Sequence, residues 1–225
     1  MLLFPLTAAH AQASGSVSLL SDYRFRGISE TDRRPAIQAE TTYDHSSGVF
    51  AGALASNVKL AAPGASGLAV QAYGGYAKSI SEESSWDVGA IRYLFPRPAT
   101  GSSFDYTEVF AGITWNAVNV RLYLSDNYVG SGAHGRYLEF NGSRELSGGS
   151  ALIVHLGYLR SGAARFAQTH YGDTSLVDVK VGLQTKMARF DLELSVVATT
   201  SRNSECPGGS GRCSPTAVLA LSRAF

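Results

Sequence analysis

Charge is scarce in this chain. Only 16% of its 225 residues are Asp, Glu, Lys or Arg, against about 25% in ordinary soluble domains. Long apolar runs are missing too. No stretch reaches the roughly 18 residues a membrane-spanning helix needs, and mean hydropathy is close to neutral at -0.01. A helical membrane protein is thereby excluded. The formal net charge is +1 and no basic stripe exists, so nothing marks a nucleic-acid partner. Cysteine is nearly absent. Its two copies, Cys206 and Cys213, lie in Cys-Pro-Gly-Gly-Ser-Gly-Arg-Cys, far in sequence from any histidine, which argues against a metal site. In an oxidising compartment the pair is expected to close a small disulfide loop, a staple without function of its own; free thiols are the alternative.

Glycine and aromatics are plentiful, with 24 Gly, 11 Tyr and 10 Phe. The dominant period is two. In Val118-Asn-Val-Arg-Leu-Tyr-Leu-Ser125 the apolar residues Val118, Val120, Leu122 and Leu124 share one face, opposite Asn119, Arg121, Tyr123 and Ser125. A helix would scatter them around its circumference, whereas a strand sorts them. Phe190–Val196 and Val177–Leu183 behave alike. Twelve such segments are expected, near 15–27, 35–44, 48–58, 67–78, 86–95, 105–115, 118–127, 136–145, 151–160, 174–186, 189–199 and 215–225. Most have about 10 residues, the length a tilted strand needs to cross hydrocarbon. The third, fourth, fifth and ninth alternate poorly, diluted by Gly and Ala.

The connections alternate as well. Those after even-numbered segments are short, as at 45–48, 81–85, 116–117, 147–149 and 186–188. Those after odd-numbered segments are mostly long, as at 59–67, 96–104, 161–173 and 201–214. Tight turns on one rim, long loops on the other and an even strand count together describe a single antiparallel up-and-down transmembrane β-barrel with both termini on the short-turn, periplasmic side. A soluble sandwich also alternates, but its polar face is typically rich in Lys and Glu. Here that face mixes isolated charges with Tyr, Ser, Asn, Gln and Gly. Tyr23, Phe25, Tyr43, Trp86, Tyr106, Trp115, Phe190 and Phe225 lie near segment ends, where interfacial aromatic girdles belong. Aromatic core residues of a sandwich are the alternative.

Residues 1–13 read as a secretory leader. Leu2-Leu3-Phe4-Pro5-Leu6 is apolar, and Ala9, Ala11 and Ala13 offer small residues for cleavage, although the basic opening of such leaders is missing. A frayed apolar start is the alternative. Residues 14–225 then form the barrel, which is exported through the periplasm. The chain ends in Leu219-Ala-Leu-Ser-Arg-Ala-Phe225, similar to the C-terminal signal that engages the barrel-assembly machinery, except that Arg223 stands where an apolar residue is usual.

Val17-Ser-Leu-Leu-Ser-Asp-Tyr-Arg-Phe-Arg-Gly-Ile-Ser29 with Arg34-Pro-Ala-Ile-Gln38, Gly48–Asn57 and Asp87–Tyr93 resembles the TorF-like family of proteobacterial outer-membrane porins, a family of conserved hypothetical proteins. The resemblance covers essentially the mature chain. Leu54 departs from the aromatic often found in the second of these stretches, and the Cys206–Cys213 loop is foreign to the family's pattern. The resemblance implies a barrel and a pore, and brings no substrate or catalytic residues.

With Val17, Leu19, Tyr23 and Phe25 toward lipid, Asp22, Arg24 and Arg26 are expected in the lumen. Gln38, Glu40, Asp44, Glu108, Arg121, Glu139, Asp178, Lys180, Asp191 and Glu193 join them as pore-lining candidates. Acids outnumber bases in this set, which points to a mild cation preference. Pairing of the charges across a filled lumen is the alternative. An enzyme would need a nucleophile beside a base, and of the five histidines only His45 has a serine two residues on, Ser47, in a turn. No catalytic residue, metal or cofactor is expected. Gly130–Gly135 and Pro207–Gly211 are loop composition, not nucleotide cradles. The reading is a passive porin-like channel for small polar solutes or ions, in contact with outer-membrane lipids and lipopolysaccharide. A plugged structural or adhesion barrel is the second reading, and a barrel enzyme the third.

Overall fold

The structure, a computed structural model, describes residues 12–60, 67–96, 104–162, 174–201, 206 and 211–225. Alternation, clear in most segments and diluted by Gly and Ala in the others, accompanies twelve long strands: β1 (Gln12–Leu20), β4 (Ala36–Asp44), β5 (Val49–Asn57), β6 (Leu68–Ser79), β7 (Ser84–Leu94), β8 (Tyr106–Trp115), β9 (Val118–Ser125), β10 (Gly135–Glu145), β11 (Ser150–Ser161), β12 (Thr174–Met187), β13 (Phe190–Thr199) and β14 (Thr216–Ala224). A small hairpin, β2 (Arg24–Phe25) and β3 (Ile28–Ser29), stands apart from them. Each long strand pairs antiparallel with its neighbours in order, and β14 returns to β1, so the sheet closes into a twelve-stranded barrel. The seam sets Leu19 opposite Leu221 and Ser16 opposite Ala224. Closure leaves no strand edge unpaired, the condition for a sheet in hydrocarbon. The leader assignment falls on residues 1–11, outside the described residues. Gln12 and Ala13, its last two residues, open β1.

The faces are inverted relative to a water-soluble domain. Along β8, Tyr106, Glu108 and Phe110 are buried, whereas Thr107, Val109, Ala111 and Ile113 are exposed. Glu108 is 1% exposed while Ile113 is 60% exposed, so the carboxylate faces the barrel interior and the isoleucine faces out. A water-soluble sandwich would sort these two the other way. Apolar side chains continue around the whole outer wall, among them Leu122, Leu138, Val181, Leu194 and Leu219.

The first strand is shorter than the sequence pattern suggests, and this corrects the expected lipid-facing positions of Tyr23 and Phe25. The chain leaves the wall after Leu20 and turns into the lumen, where Tyr23 and Phe25 pack on the buried aromatic cluster. Arg26 and Gly27 form the two-residue turn of the β2–β3 hairpin with φ of 50° and 78°. Positive φ at both central positions is the type I′ geometry that matches strand twist. The dyad pattern therefore outlasts the wall, because a hairpin obeys the same period. Tyr106 is likewise not part of an outer girdle, since its register places it inside. Tyr43, Trp86, Trp115, Phe190 and Phe225 do sit on outward positions, all at the short-turn rim.

Candidate functional site

The interior is built by three groups of side chains, and the inward segment 22–32 organises the first. The Asp22 carboxylate accepts hydrogen bonds from Ser29 Oγ at 2.5 Å, Thr31 Oγ1 at 3.1 Å and Arg24 Nε at 2.6 Å. Arg24 then donates to the carbonyls of Gly27, Arg212 and Ser214 and to Thr216 Oγ1. Arg212 reciprocates: its carbonyl accepts from Ser29 N–H at 3.1 Å and its guanidinium lies 3.4 Å from Asp32. Cys206 and Cys213 are joined in a disulfide with Cα atoms 6.0 Å apart, so the loop carrying Arg212 is covalently closed. Asp32 also receives Lys59 Nζ at 3.0 Å. Segment 22–32 is thus tied to the connections on both sides of it.

At the tip of the hairpin, Arg26 reaches across the lumen to Glu108. Its two terminal nitrogens donate to the two carboxylate oxygens at 3.0 and 2.7 Å, and Tyr93 OH donates to the same carboxylate at 3.1 Å. The guanidinium lies 4.0 Å from the centroid of the Tyr137 ring, with the rings of Phe25, Tyr123 and Tyr128 within 5.6 Å. A bidentate pair held against aromatic faces fixes both partners in one geometry. Gly27 closes against the opposite wall. A Cβ there would meet Asp178 Cβ at 2.7 Å and Thr199 Cβ at 3.0 Å.

The second group is one register row across the wall, in which Asp87, Gly112, Arg121, Glu139, Gly157 and Asp178 stand opposite one another in turn. Arg121 lies 2.9 Å from Asp87, and Tyr123 OH donates to Glu139 at 2.9 Å. His155 Nε2 lies 2.9 Å from Asp178 Oδ1 and its Nδ1 lies 2.7 Å from Asn141 Oδ1, while Tyr137 OH donates to Asp178. The glycines give these side chains room. A Cβ at Gly157 would coincide with the Tyr137 hydroxyl and the Asp178 carboxylate.

The third group is the half-exposed wall of β13, β14, β1 and β4. Its inward side chains are small and polar, including Ser14, Ser16, Ser18, Gln38, Glu40, Asp191, Glu193 and Ser222. Tyr73 OH donates to Glu40 at 2.8 Å, and Lys180 Nζ lies 3.1 Å from Glu193. Bulk is concentrated on β7 to β11 and small polar residues here, so the interior is lopsided.

Gln38, Glu40, Asp44, Glu108, Arg121, Glu139, Asp178, Lys180, Asp191 and Glu193 all fall on inward positions of their strands, Asp44 at the exposed short-turn end. Asp22, Arg24 and Arg26 also lie inside, carried there by the inward segment rather than by β1. Each of the four bases has an acid: Arg24 with Asp22, Arg26 with Glu108, Arg121 with Asp87 and Lys180 with Glu193. Among the described residues no ion pair joins Glu40, Asp44, Glu139 or Asp191 to a base. Sequence reasoning overlooked Asp87, whose strand alternates poorly, and Arg212, hidden in a loop read as a staple.

His155 has a carboxylate and a tyrosine as neighbours, and among the described residues no serine or cysteine hydrogen-bonds to it. His45 Nδ1 lies 2.8 Å from Ser47 Oγ at the short-turn rim. Among the described residues, no three His, Cys, Asp or Glu side chains converge to hold a metal.

Residues 7–225 match the model of a family described as bacterial protein of unknown function (Gcw_chp). No curated protein matches the chain by sequence. Among solved structures, a KdgM porin aligns at TM-score 0.57 and 10% identity, over 94% of this chain and 98% of its own. A NanC porin aligns at TM-score 0.61 and 9% identity, over 95% and 99%. An outer-membrane channel from Pseudomonas putida F1 aligns at TM-score 0.51 and 12% identity, over 98% and 97%. At such identities the likeness fixes the fold, a closed antiparallel barrel spanning nearly the full length of each.

Proposed function

The chain belongs to the Gcw_chp family of bacterial proteins, and we propose that this member is a narrow outer-membrane channel for passive diffusion of small ions and polar solutes, with a preference for cations. The observation that carries this reading is the surplus of carboxylates inside a closed, apolar-walled barrel. Each of the four inward bases Arg24, Arg26, Arg121 and Lys180 is committed to an acid, and Glu40, Asp44 and Glu139 stand without a base, whereas Asp191 lies opposite Lys186 across β12 and β13. Rings and rows of carboxylate lower the energy of a cation in a pore and raise that of an anion. The small polar wall of β13, β14, β1 and β4 supplies the path, and segment 22–32 supplies the constriction. The similar solved structures are named as porins and an outer-membrane channel, and we carry that activity and location to this chain by analogy of fold. Export through the periplasm and the assembly machinery, with Phe225 engaging the latter, accompanies the proposal. No catalytic step is assigned to it.

A second reading draws on the inward segment itself: a barrel held shut at its long-loop rim, serving a structural or adhesive role through its loops. Planar-bilayer recording separates the two. Discrete steps whose reversal potential in a salt gradient follows the cation support the channel. A silent bilayer from protein that shows the heat-modifiable gel shift of a folded barrel favours the shut one. Chloride-selective steps remove the cation preference.

A further inference from the structure

His155, on an inward position of β11, is held between two acceptors. Its Nε2 lies 2.9 Å from Asp178 Oδ1 and its Nδ1 lies 2.7 Å from Asn141 Oδ1. Beside an ionised Asp178, both contacts are hydrogen bonds only when both ring nitrogens carry a proton, which makes the ring a cation. Tyr137 OH, 3.0 Å from Nε2, also reaches Asp178 at 3.2 Å and has a single proton to give. The neutral ring fits as well. Among the described residues Asn141 Nδ2 has no hydrogen-bond partner, and turning the amide over brings that nitrogen to an unprotonated Nδ1. One amide rotation thus separates two satisfied arrangements, one for each charge state of the ring.

The charged and titratable groups around the ring come from three elements. Strand β10 brings Tyr137 and Glu139, β12 brings Asp178 and Lys180, and the hairpin brings Arg26, whose guanidinium lies 4.0 Å from the Tyr137 centroid. Arg26 is committed to Glu108, and Lys180, the cross-strand partner of His155, to Glu193. Glu139 adds the same charge whatever the ring does. His155 therefore decides the sum over Asp178, His155, Lys180 and Glu193. With the ring charged, two acids face two bases. With the ring neutral, one negative charge is left over. It is left beside the constriction, because the hairpin turn closes on Asp178: a Cβ on Gly27 would lie 2.7 Å from Asp178 Cβ. The His155 side chain is 16% exposed, so protons reach it from the lumen. Histidine is the side chain that ordinarily changes charge between about pH 5 and 8. The other described histidines, His45 and His134, are exposed in the turn and the loop at opposite rims.

We propose that His155 sets the ion selectivity of the channel according to pH: charged, it cancels Asp178, and neutral, it leaves a carboxylate charge at the constriction that favours cations. The inference rests on the channel reading above and adds to it a residue that tunes selectivity and the direction in which acid moves it.

The test records the full chain in neutral phosphatidylcholine bilayers under a tenfold KCl gradient at pH 5.5 and 8.5. In the wild type the potassium-to-chloride permeability ratio is expected to rise about fivefold at the higher pH. That is the scale for one unit charge about 8 Å from the ion in a water-like medium, acting oppositely on cation and anion. His155→Gln is expected to flatten the profile. Asp178→Asn is expected to lower the ratio at pH 8.5 to about the acid value of the wild type. His45→Gln is expected to keep the full step. Heat-modifiable mobility checks the folding of each variant. A flat wild-type profile, a step that persists in His155→Gln, or an unchanged alkaline ratio in Asp178→Asn overturns the assignment, while discrete currents keep the channel reading. Folded protein that passes no current overturns both.

Discussion

Arg26 and Glu108 lie 82 residues apart in the chain and meet inside the barrel through two contacts of 2.7 and 3.0 Å. The pair joins the tip of an inward hairpin to the far wall, and it is shielded by aromatic rings on the guanidinium side. Both side chains are almost wholly enclosed, at 5% and 1% exposure. An enclosed pair of this kind holds geometry more than it adds stability, because desolvation offsets much of the attraction.

Removing one partner is therefore predicted to be worse than removing both. Arg26→Ala leaves the Glu108 carboxylate enclosed without its counter-charge and is expected to cost about 3–5 kcal/mol. The double variant Arg26→Met with Glu108→Leu is expected to recover most of that loss. Urea midpoints in lipid-detergent micelles provide the comparison. A double variant as unstable as the single one would remove the argument. In bilayers Arg26→Ala is also expected to raise unit conductance, because the hairpin loses its anchor on β8.

Selectivity is predicted to follow the carboxylates that have no base. Glu40→Gln together with Asp44→Asn should move the reversal potential in a tenfold salt gradient toward zero. Unit conductance should change less. Identical reversal potentials for wild type and variant would assign the selectivity to other groups, and Glu139 would be the next to substitute.

Gly157 is predicted to tolerate no side chain. Its neighbours across the strands are Glu139 and Asp178, and the Tyr137 hydroxyl and Asp178 carboxylate occupy the space of its missing Cβ. Gly157→Ala should displace one of them and cost about 1–3 kcal/mol, the usual range for overpacking. Gly132→Ala serves as a steric comparison, since nothing lies within 4 Å of a Cβ there. Any loss at Gly132, whose φ is 76°, reports backbone strain alone, whereas Gly157 has no positive φ and its loss reports packing; a Gly157→Ala variant as stable as the wild type would remove the packing argument.

The long strands were legible because a closed wall with an apolar outer face and a packed interior imposes the period of two on every segment. Even the weakly alternating segments belong to the wall, and the structure shows why they alternate weakly. Gly52 lies under Tyr73, Gly75 and Gly89 lie under Phe50 and Phe110, and Gly157 lies under Tyr137. The inward position is vacant in sequence because a neighbouring strand's side chain fills it, which no single-strand pattern records. The inward turn at Leu20 was not legible for the opposite reason. Asp22, Tyr23, Arg24, Phe25 and Arg26 continue the alternation, and only the Arg26-Gly27 pair marks a reversal, without the Asn or Asp that usually signals such a turn. The partner of Arg121 was missed for want of pattern in β7, and the role of Arg212 for want of any periodicity in a loop.

A final prediction concerns the loop that Cys206 and Cys213 close. Substituting both with serine should lower stability by about 2–3 kcal/mol on loop-closure grounds. Arg212→Ala should leave the disulfide intact yet release the carbonyl of Ser29 and Asp32 from their guanidinium contacts. If Arg212 anchors segment 22–32, both variants should increase open-channel noise, whereas a purely stapling loop would leave Arg212→Ala as quiet as the wild type.

The contacts of Arg24 with Arg212, Ser214 and Thr216 also bear on the order of assembly. The segment that enters the lumen comes just after the first strand, while the atoms that receive it come just before the last. Until β14 has reached β1 those acceptors are not in place, so in a half-built sheet the hairpin has its wall contacts on β8 and β12 but not its Arg24 anchor. Sealing of the wall and locking of Arg24 are consequently coupled, and a barrel whose first and last strands have not met lacks this hold on the segment that fills its lumen.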